Sequence, residues 1–175
     1  MKKLIALTLL LCTLSLMFSS CGNNVKIEKP EDTNLEYWLL DKPDKENWTQ
    51  IGSDRYLAGG YEAAVDENGD LQAPEESVLY YIDHYPISEM GFKIIDGLLI
   101  TDPDVYVWGL TINSTKEEAV ETLSELGFSV DSSDKVCSAE MGQYKIRLTY
   151  GERLEIHYLK FSIINTFIFG EKAYN

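Results

Sequence analysis

An apolar run from Leu4 to Phe18 is the feature that most limits how this chain can fold. Two lysines precede the run, and Ser19 and Ser20 end it. A basic start, an apolar stretch of about 7–15 residues and small residues before a cleavage point are typical of a secretory signal. A membrane-spanning helix needs about 20 apolar residues, so the run predicts a removable signal rather than a span. The folded domain must therefore be built from the residues that follow.

The segment Phe18-Ser19-Ser20-Cys21 lies at the end of this run. It resembles the lipobox of bacterial lipoproteins, although that family more often has Leu where this chain has Phe18. The resemblance implies cleavage before Cys21, diacylation of that cysteine and anchoring at the extracytoplasmic face of a cell membrane. Two acyl chains are enough for a stable anchor, since each buried methylene contributes about 0.8 kcal/mol. An ordinary secretory signal with an incidental cysteine is the alternative.

These features predict a chain of three parts: a signal peptide at 1–20, a tether at 21–33 and a single domain at 34–175. The tether is polar and contains Pro30, so it buries little apolar area and is expected to be a flexible spacer. The remaining length suits one domain with its own core.

The acidic composition excludes one class of partner. The chain has 29 acidic and 15 basic residues and a formal net charge of −14. Nucleic-acid binding depends on clustered Lys and Arg that neutralise phosphates, so no nucleic-acid partner is expected. Mutual repulsion that favours solubility accounts for most of the acidity, and binding of cations or of a basic partner is the alternative.

Cysteine usage excludes a disulfide framework. Cys12 belongs to the predicted signal and Cys21 to the predicted anchor, so Cys137 has no intramolecular partner. Cys137 is expected to pack as a small hydrophobic residue.

The residues after Arg55 predict strands and turns. Asn68-Gly69, within 66–70, is the strongest hairpin signal, and Tyr150-Gly151-Glu152-Arg153 predicts a second hairpin with a two-residue turn. In Tyr144–Tyr150 every second residue is apolar, which favours one buried and one wet face. Strands are expected at 56–58, 61–65, 78–85, 92–101, 105–112, 144–150 and 154–158.

The clearest helix signal covers 115–126. Ser114 can cap its start together with Glu117, and Gly127 can end it in a left-handed conformation that brings Phe128 back onto the helix. Ala119, Val120, Leu123 and Leu126 form the expected buried stripe. Shorter helices are expected at 35–40 and 46–51. The predicted fold class is α+β: an antiparallel sheet of about six to eight strands packed by one long and one or two short helices.

The stretch 112–120, followed by Leu123, Gly127 and Phe128, precedes this meander of strands. It resembles the helix-then-meander unit of small envelope lipoproteins, including the outer-membrane assembly lipoprotein and β-lactamase-inhibitor-protein-like families, and many uncharacterised Gram-positive lipoproteins. The resemblance covers less than a third of the chain and lacks the Gly-x-Pro that commonly closes the helix there. It implies protein binding through an exposed sheet face, and it identifies no functional residue.

Two groups of residues could bind a metal ion. Asp83, His84, Glu155 and His157 would do so if their strands met, but the expected spacing of a zinc site is absent, and surface histidines are the favoured interpretation. The stretch 66–70 is similar to the start of a calcium loop. Leu71 and Ser77, however, occupy the positions where an EF-hand needs Gly and Glu. The hairpin is favoured there, and a looser ion site with Glu75 and Glu76 stays open.

Catalytic motifs have little support. Ser132 and Lys135 fit the pattern Ser-x-x-Lys, but its partner motifs are missing, so the segment predicts a polar turn. No nucleophile elbow, phosphate-binding loop or dinucleotide fingerprint occurs in the sequence. We therefore expect no enzyme activity, cofactor or metal.

The aromatic residues allow two interpretations. Trp38, Trp48, Trp108, Tyr80, Tyr81 and Tyr85 are suited to core and cross-strand packing. Alternatively, they form an exposed face for a protein or glycan partner, since such residues are enriched at binding hot spots. The favoured function is a non-catalytic lipoprotein that binds another envelope component, such as an envelope protein, through the sheet. A module that binds a small ligand or cation, or an undetected hydrolase, is the alternative.

Overall fold

A computed structural model describes residues 27–43, 46–82 and 94–159. The predicted signal and Cys21 lie outside these ranges. The described strands are β1 (Thr49–Gln50), β2 (Arg55–Leu57), β3 (Ala64–Val65), β4 (Leu71–Gln72), β5 (Val78–Ile82), β6 (Ile95–Ile100), β7 (Ser129–Ser132), β8 (Val136–Met141), β9 (Tyr144–Thr149) and β10 (Arg153–Tyr158), and the helix is α1 (Lys116–Glu125).

Eight of these strands form one antiparallel sheet in the order β1-β2-β5-β6-β10-β9-β8-β7, while β3 and β4 form a separate hairpin. The last four strands of the sheet are a meander that follows the helix. The pairing of β6 with β10 joins this meander to the earlier strands, with Leu98 opposite Ile156 and Ile100 opposite Leu154. All four of these side chains are buried.

The main core lies on one face of the sheet. Because side chains alternate between the two faces of a strand, Leu98 and Ile100 of β6 share this face with Tyr80 of β5. Ala119 and Leu123 of α1 belong to the same core. The core-facing residues of the other strands and of the segments that cross the sheet complete it, among them Trp38, Trp48, Tyr56, Val107, Leu148, Leu154 and Ile156.

The helix has the predicted ends with a one-residue shift at its start. Thr115, rather than Ser114, is the N-cap, and Glu118, rather than Glu117, completes the capping box. Gly127 has a φ of 91°, and the Phe128 N–H donates to the Leu123 carbonyl at 3.0 Å. The predicted helix end is therefore confirmed as a Schellman motif.

The buried stripe of the helix is narrower than predicted. Ala119 and Leu123 are buried and Val120 is half-buried, but Leu126 is 39% exposed. The helix contributes few residues to the core because the sheet and the irregular segments supply most of it. Among the described residues, no helix has the length and apolar content needed to cross a membrane.

The predicted fold class is wrong, because the described residues form a mostly antiparallel β structure with one short helix. The stretch 35–40 is irregular and 46–51 contains β1. The Leu40 N–H donates to the Ile95 carbonyl at 2.8 Å, and the Ile95 N–H donates to the Asp41 carbonyl at 3.1 Å. The Leu40 N–H, which a helix would pair within the segment, is thus bonded to the first residue of β6.

Segment 27–43 packs along the core. The Ile27 N–H donates to the Tyr144 hydroxyl at 3.0 Å, and the Trp38 indole donates to the Ile27 carbonyl at 3.1 Å. Thr33 forms an isolated bridge with Val107. Contacts with the sheet are therefore present from Ile27 onward, within the segment predicted as the tether.

The strand predicted at 105–112 is instead interrupted by a tight turn. Val107 and Leu110 exchange two backbone hydrogen bonds, of 2.9 and 3.0 Å. Between them Trp108 has a φ of 54° and Gly109 a φ of 73°, which is the pattern of a type I′ turn. A bulky residue at positive φ is strained. The Trp108 indole offsets this by packing at right angles to Trp38, with ring centroids 5.5 Å apart.

Both predicted hairpins are confirmed. Val65 pairs with Leu71 around the 66–70 turn, where Gly69 has the positive φ that the turn requires. Thr149 pairs with Arg153, so the second turn has three residues rather than the two predicted.

The interpretation of His157 as a surface histidine is wrong. Glu155 is 1% exposed and His157 is 2% exposed. β10 lies between β6 and β9 near the middle of the sheet, and its residues Leu154–His157 are buried on both faces. His157 is opposite Gly97, and its ring approaches that of Tyr81 across the glycine, with centroids 5.9 Å apart.

The space above Gly97 gives a testable prediction. A Cβ atom there would lie 2.8 Å from Nδ1 of His157 and 3.1 Å from Cβ of Tyr81. We expect Gly97→Ala to lower the free energy of unfolding by about 1–3 kcal/mol, as overpacking does, in urea denaturation. The loss should be smaller in a His157→Ala background, because the closest clash is then removed. Equal losses in both backgrounds would contradict this account.

Candidate functional site

A cavity of about 200 Å³ lies between the sheet and the segments that cross it. Four aromatic residues line it: Tyr37, Trp48, Tyr61 and Tyr80. We call it the aromatic cavity. The other lining residues are Asn34, Leu35, Glu36, Ala58, Gly59, Val78 and Val105.

The sheet supplies one wall of the aromatic cavity. Val78 and Tyr80 are alternate residues of β5, so both point to the core face. Trp48 directly precedes β1, and Ala58 directly follows β2. The Ala58 N–H donates to the Val78 carbonyl at 2.9 Å, which holds the chain after β2 beside β5.

The opposite wall consists of the 34–37 segment and the loop that contains Val105, and Asn34 connects the two by hydrogen bonds. Its side-chain amide donates to the Asp104 carbonyl and accepts from the Tyr106 N–H, both at 2.9 Å. These bonds fix the start of the 34–37 segment against the loop that contains Val105. Each wall of the aromatic cavity is therefore held by hydrogen bonds as well as by packing.

The aromatic rings lie in two orientations. Trp48 and Tyr80 are stacked, with centroids 4.3 Å apart and planes 7° from parallel. Tyr37 stands at right angles to both, at 5.0 Å from Trp48 and 6.1 Å from Tyr80. The contact distances show that Tyr37 lies beside the stack rather than on top of it, so the rings form two perpendicular surfaces.

The tyrosine hydroxyls are held by polar groups. Tyr61 donates to the Asp102 carboxylate at 2.6 Å, and burial together with this bond raises the Tyr61 pKa well above its ordinary value. Burial raises the pKa of Tyr80 to about 12, although a bond from the Tyr37 N–H opposes the shift. Both hydroxyls are therefore neutral near pH 7.

The aromatic cavity combines apolar side chains and rings with a few polar groups. Of its eleven described lining residues, none is histidine, cysteine, serine, lysine or arginine, and the polar side chains include Asn34, Glu36 and the tyrosine hydroxyls. Hydrophobic and aromatic side chains with a small number of fixed polar groups are typical of ligand pockets.

A second cavity, of about 330 Å³, lies beside the start of α1 and is lined by Trp108, Thr111, Ser114 and Glu118, among others. Its polar groups already have structural partners. Ser114 accepts from the Thr111 N–H at 3.1 Å, and the Glu118 carboxylate accepts from the Thr115 N–H at 2.8 Å. This cavity is therefore explained by the turn and by the helix cap.

Several candidate residues from the sequence lie outside the described ranges: Cys21, Asp83, His84 and Tyr85. Cys137 is buried as expected. Burial raises the pKa of its thiol, and the neighbouring Tyr150 only partly offsets this. Cys137 therefore stays protonated and packs in the core.

The charged pair on β10 lies away from the aromatic cavity. Glu155 forms an ion pair with Arg153, with Nε 3.7 Å from Oε2. His157 does not lie across from β5 directly, because β6 separates β5 from β10. Among the described residues, no group of three His, Cys, Asp or Glu could hold a metal ion.

The carboxylate of Asp66 accepts hydrogen bonds from its own turn, 66–70. Asp66 accepts from the backbone N–H groups of Asn68 and Asp70, at 2.8 and 2.9 Å, and from the Gln72 side chain at 3.0 Å. The two backbone bonds lower the pKa of Asp66. These contacts support the hairpin interpretation over a calcium loop.

The Ser-x-x-Lys segment is a polar turn, as predicted. Ser132 ends β7, opposite Cys137. Ser133 donates its N–H to the Val136 carbonyl at 2.8 Å, and its hydroxyl accepts from the Val136 N–H at 3.2 Å. The segment is the connection between β7 and β8.

The core interpretation of the aromatic residues is confirmed where they are described. Trp38, Trp48, Tyr80 and Tyr81 are all buried, and Trp108 is half-buried. Sequence reasoning missed that Tyr37 and Tyr61 join two of them around a cavity. The abundance of tyrosine was the only sequence signal for this cavity, because its four rings come from four separate segments.

Comparisons with models of protein families, with curated proteins and with solved structures give no match to this chain.

The raised pKa of Tyr80 predicts a loss of stability in alkaline solution. An unfolded tyrosine ionises near its ordinary pKa of 10.0, whereas the folded protein keeps this proton to about pH 12. The folded state binds the proton more tightly, so this contribution is complete below pH 10 and is lost as the pH rises to about 12.

Urea denaturation at a series of pH values tests this. We expect the midpoint to fall between pH 10 and about pH 12, and to fall less in Tyr80→Phe, which has no hydroxyl to ionise. An equal fall in both proteins would show that Tyr80 is not responsible.

Proposed function

We propose that this protein is a lipid-anchored, non-catalytic binding protein at the extracytoplasmic face of a membrane. Its ligand is a small organic molecule held in the aromatic cavity. The observation that carries the proposal is a partly open cavity lined by four aromatic rings, in which hydrogen bonds fix the Asn34 amide and the Tyr61 hydroxyl.

The anchor rests on the sequence around Cys21. The apolar run, the two small residues and the cysteine follow one another in the order that the lipobox requires. A domain held at a membrane by lipid alone needs no spanning segment, because two acyl chains suffice.

The distribution of exposed apolar residues favours a cavity over a broad sheet surface. Of the described residues, three large apolar side chains are exposed: Val65, Leu71 and Leu126. Tyr80 and Tyr81 are buried. The aromatic residues that would serve an open binding face are therefore packed inside.

Binding of another envelope component is the second candidate function. Val65 is 66% exposed and Leu71 is 39% exposed, and the two are direct partners across the β3–β4 hairpin. This exposed pair offers a small apolar contact for a partner protein. It is a smaller surface than the sheet face expected from the sequence.

Replacement of Cys21 tests the anchor. Cys21→Ala should abolish incorporation of labelled fatty acid, because the acylated thiol is lost, and should leave the protein released or unprocessed. The measurement is acyl labelling of the expressed chain followed by membrane fractionation. Unchanged labelling would contradict the lipobox assignment.

Filling the aromatic cavity tests the binding site. Ala58→Leu adds apolar volume to its wall without removing any lining group, so it should abolish ligand binding while the protein stays folded. Ala64→Leu is the matched control, since Ala64 is exposed on β3 and does not line the cavity.

Isothermal titration calorimetry of the full-length acylated protein in dodecyl maltoside provides the measurement. The probes are choline, glucose, N-acetylglucosamine and phenylalanine. Saturable binding of at least one probe, retained in Ala64→Leu and lost in Ala58→Leu, supports the proposal. Binding of none of the four, or equal binding by both variants, overturns it.

A further inference from the structure

We propose that the aromatic cavity selects an organic cation, namely an ammonium group that carries alkyl substituents. This inference rests on the proposed function, because it names the ligand class for the same site. Three properties of the cavity support it: the arrangement of its rings, its charge, and the state of its polar groups.

The rings that line the cavity lie in two perpendicular orientations. Tyr37 stands at 89° to Trp48 and at 87° to Tyr80. An ammonium group within about 6 Å of an aromatic centroid is attracted by the ring quadrupole, and the attraction grows when the cation is removed from water. Trp48 is 8% exposed whereas Glu36 is exposed, so a cation between them would be partly removed from water.

The charges around the cavity are negative. Glu36 is one of the lining residues, and none of the described lining residues is basic. The carboxylates of Asp102 and Asp104 act on the Tyr61 hydroxyl, and those of Glu36 and Asp41 act on Tyr80.

One basic residue lies beside this wall. Lys29 donates its ammonium to the main-chain carbonyl of Glu36 at 2.9 Å, so its positive charge is held next to the cavity. The carboxylates of Glu36, Asp41, Asp102 and Asp104 outnumber it. A cation would therefore enter a region where negative charges are in excess.

Three polar side chains of the cavity, those of Asn34, Tyr61 and Tyr80, already have hydrogen-bond partners. The Asn34 amide is bonded at both its oxygen and its nitrogen, and Tyr61 donates to Asp102. The Tyr80 hydroxyl accepts from the Tyr37 N–H. A sugar would need several free partners for its hydroxyls, because buried polar groups without partners are costly. A quaternary ammonium group needs none.

The volume also suits a small ligand. Pockets for drug-sized molecules measure about 300–1,000 Å³, and the aromatic cavity measures about 200 Å³. A compact alkylammonium head group is within this limit.

A pair of isosteric probes separates charge from shape. Choline and 3,3-dimethylbutan-1-ol have the same branched outline, but only choline is charged. We expect calorimetry of the full-length acylated protein in dodecyl maltoside to show at least tenfold tighter binding of choline, and Ala58→Leu to abolish it.

The charge at Glu36 is tested by a matched pair of variants. Glu36→Gln should weaken choline binding by roughly threefold or more at low ionic strength, because a nearby unscreened carboxylate is lost. Glu121→Gln removes the same charge from the exposed side of α1, outside the described lining, and should leave choline binding unchanged.

The outcomes distinguish the two proposals. Equal affinity for choline and its neutral isostere, or binding of a sugar in place of choline, overturns the cation inference but leaves the cavity as the binding site. Choline binding that Ala58→Leu does not change overturns both. Equal weakening by Glu36→Gln and Glu121→Gln attributes the effect to overall charge and also overturns the cation inference.

Discussion

The pairing of β6 with β10 is the interaction on which the rest of the structure depends. It joins the β1-β2-β5-β6 half of the sheet to the meander that follows the helix. Leu98, Ile100, Leu154 and Ile156 lie along this seam and are 0–1% exposed. Burying each contributes about 1.5–3 kcal/mol, so losing the row would cost about as much as the whole net stability of a typical domain, 5–15 kcal/mol. No local contact could replace it.

The aromatic cavity follows from this seam. β6 fixes β5 on its other side, with Leu98 opposite Tyr80, and Tyr80 in turn provides the surface on which Trp48 stacks. The 27–43 segment reaches the same place because Leu40 and Asp41 bond to Ile95 at the start of β6. The walls are thus held by strands and backbone hydrogen bonds, so the cavity should keep its shape without a ligand. A preformed site of this kind loses little conformational entropy on binding.

The elements that short-range interactions determine, such as turns and helix ends, were predicted from the local sequence. Gly127 ends the helix and Gly69 forms the hairpin turn because each position needs a positive φ. The helix predicted at 35–40 fails for a non-local reason. Leu35, Trp38 and Leu39 have helical spacing, but their segment is held by bonds to β6. Likewise, His157 was interpreted as a surface residue from its local sequence, yet it is buried in a strand whose two faces are both covered. The aromatic cavity escaped prediction altogether, since no single segment contains its four rings.

The central claim is that the aromatic cavity binds a small organic cation. Titration of the isotopically labelled protein with choline, followed by ¹H–¹⁵N correlation spectroscopy, tests it most directly. The Trp48 indole resonance and the amides of 34–37 and 58–61 should shift together and saturate, while the amides of α1 stay in place. A saturating response confined to other residues, or the absence of any saturating shift in this set, would contradict the account.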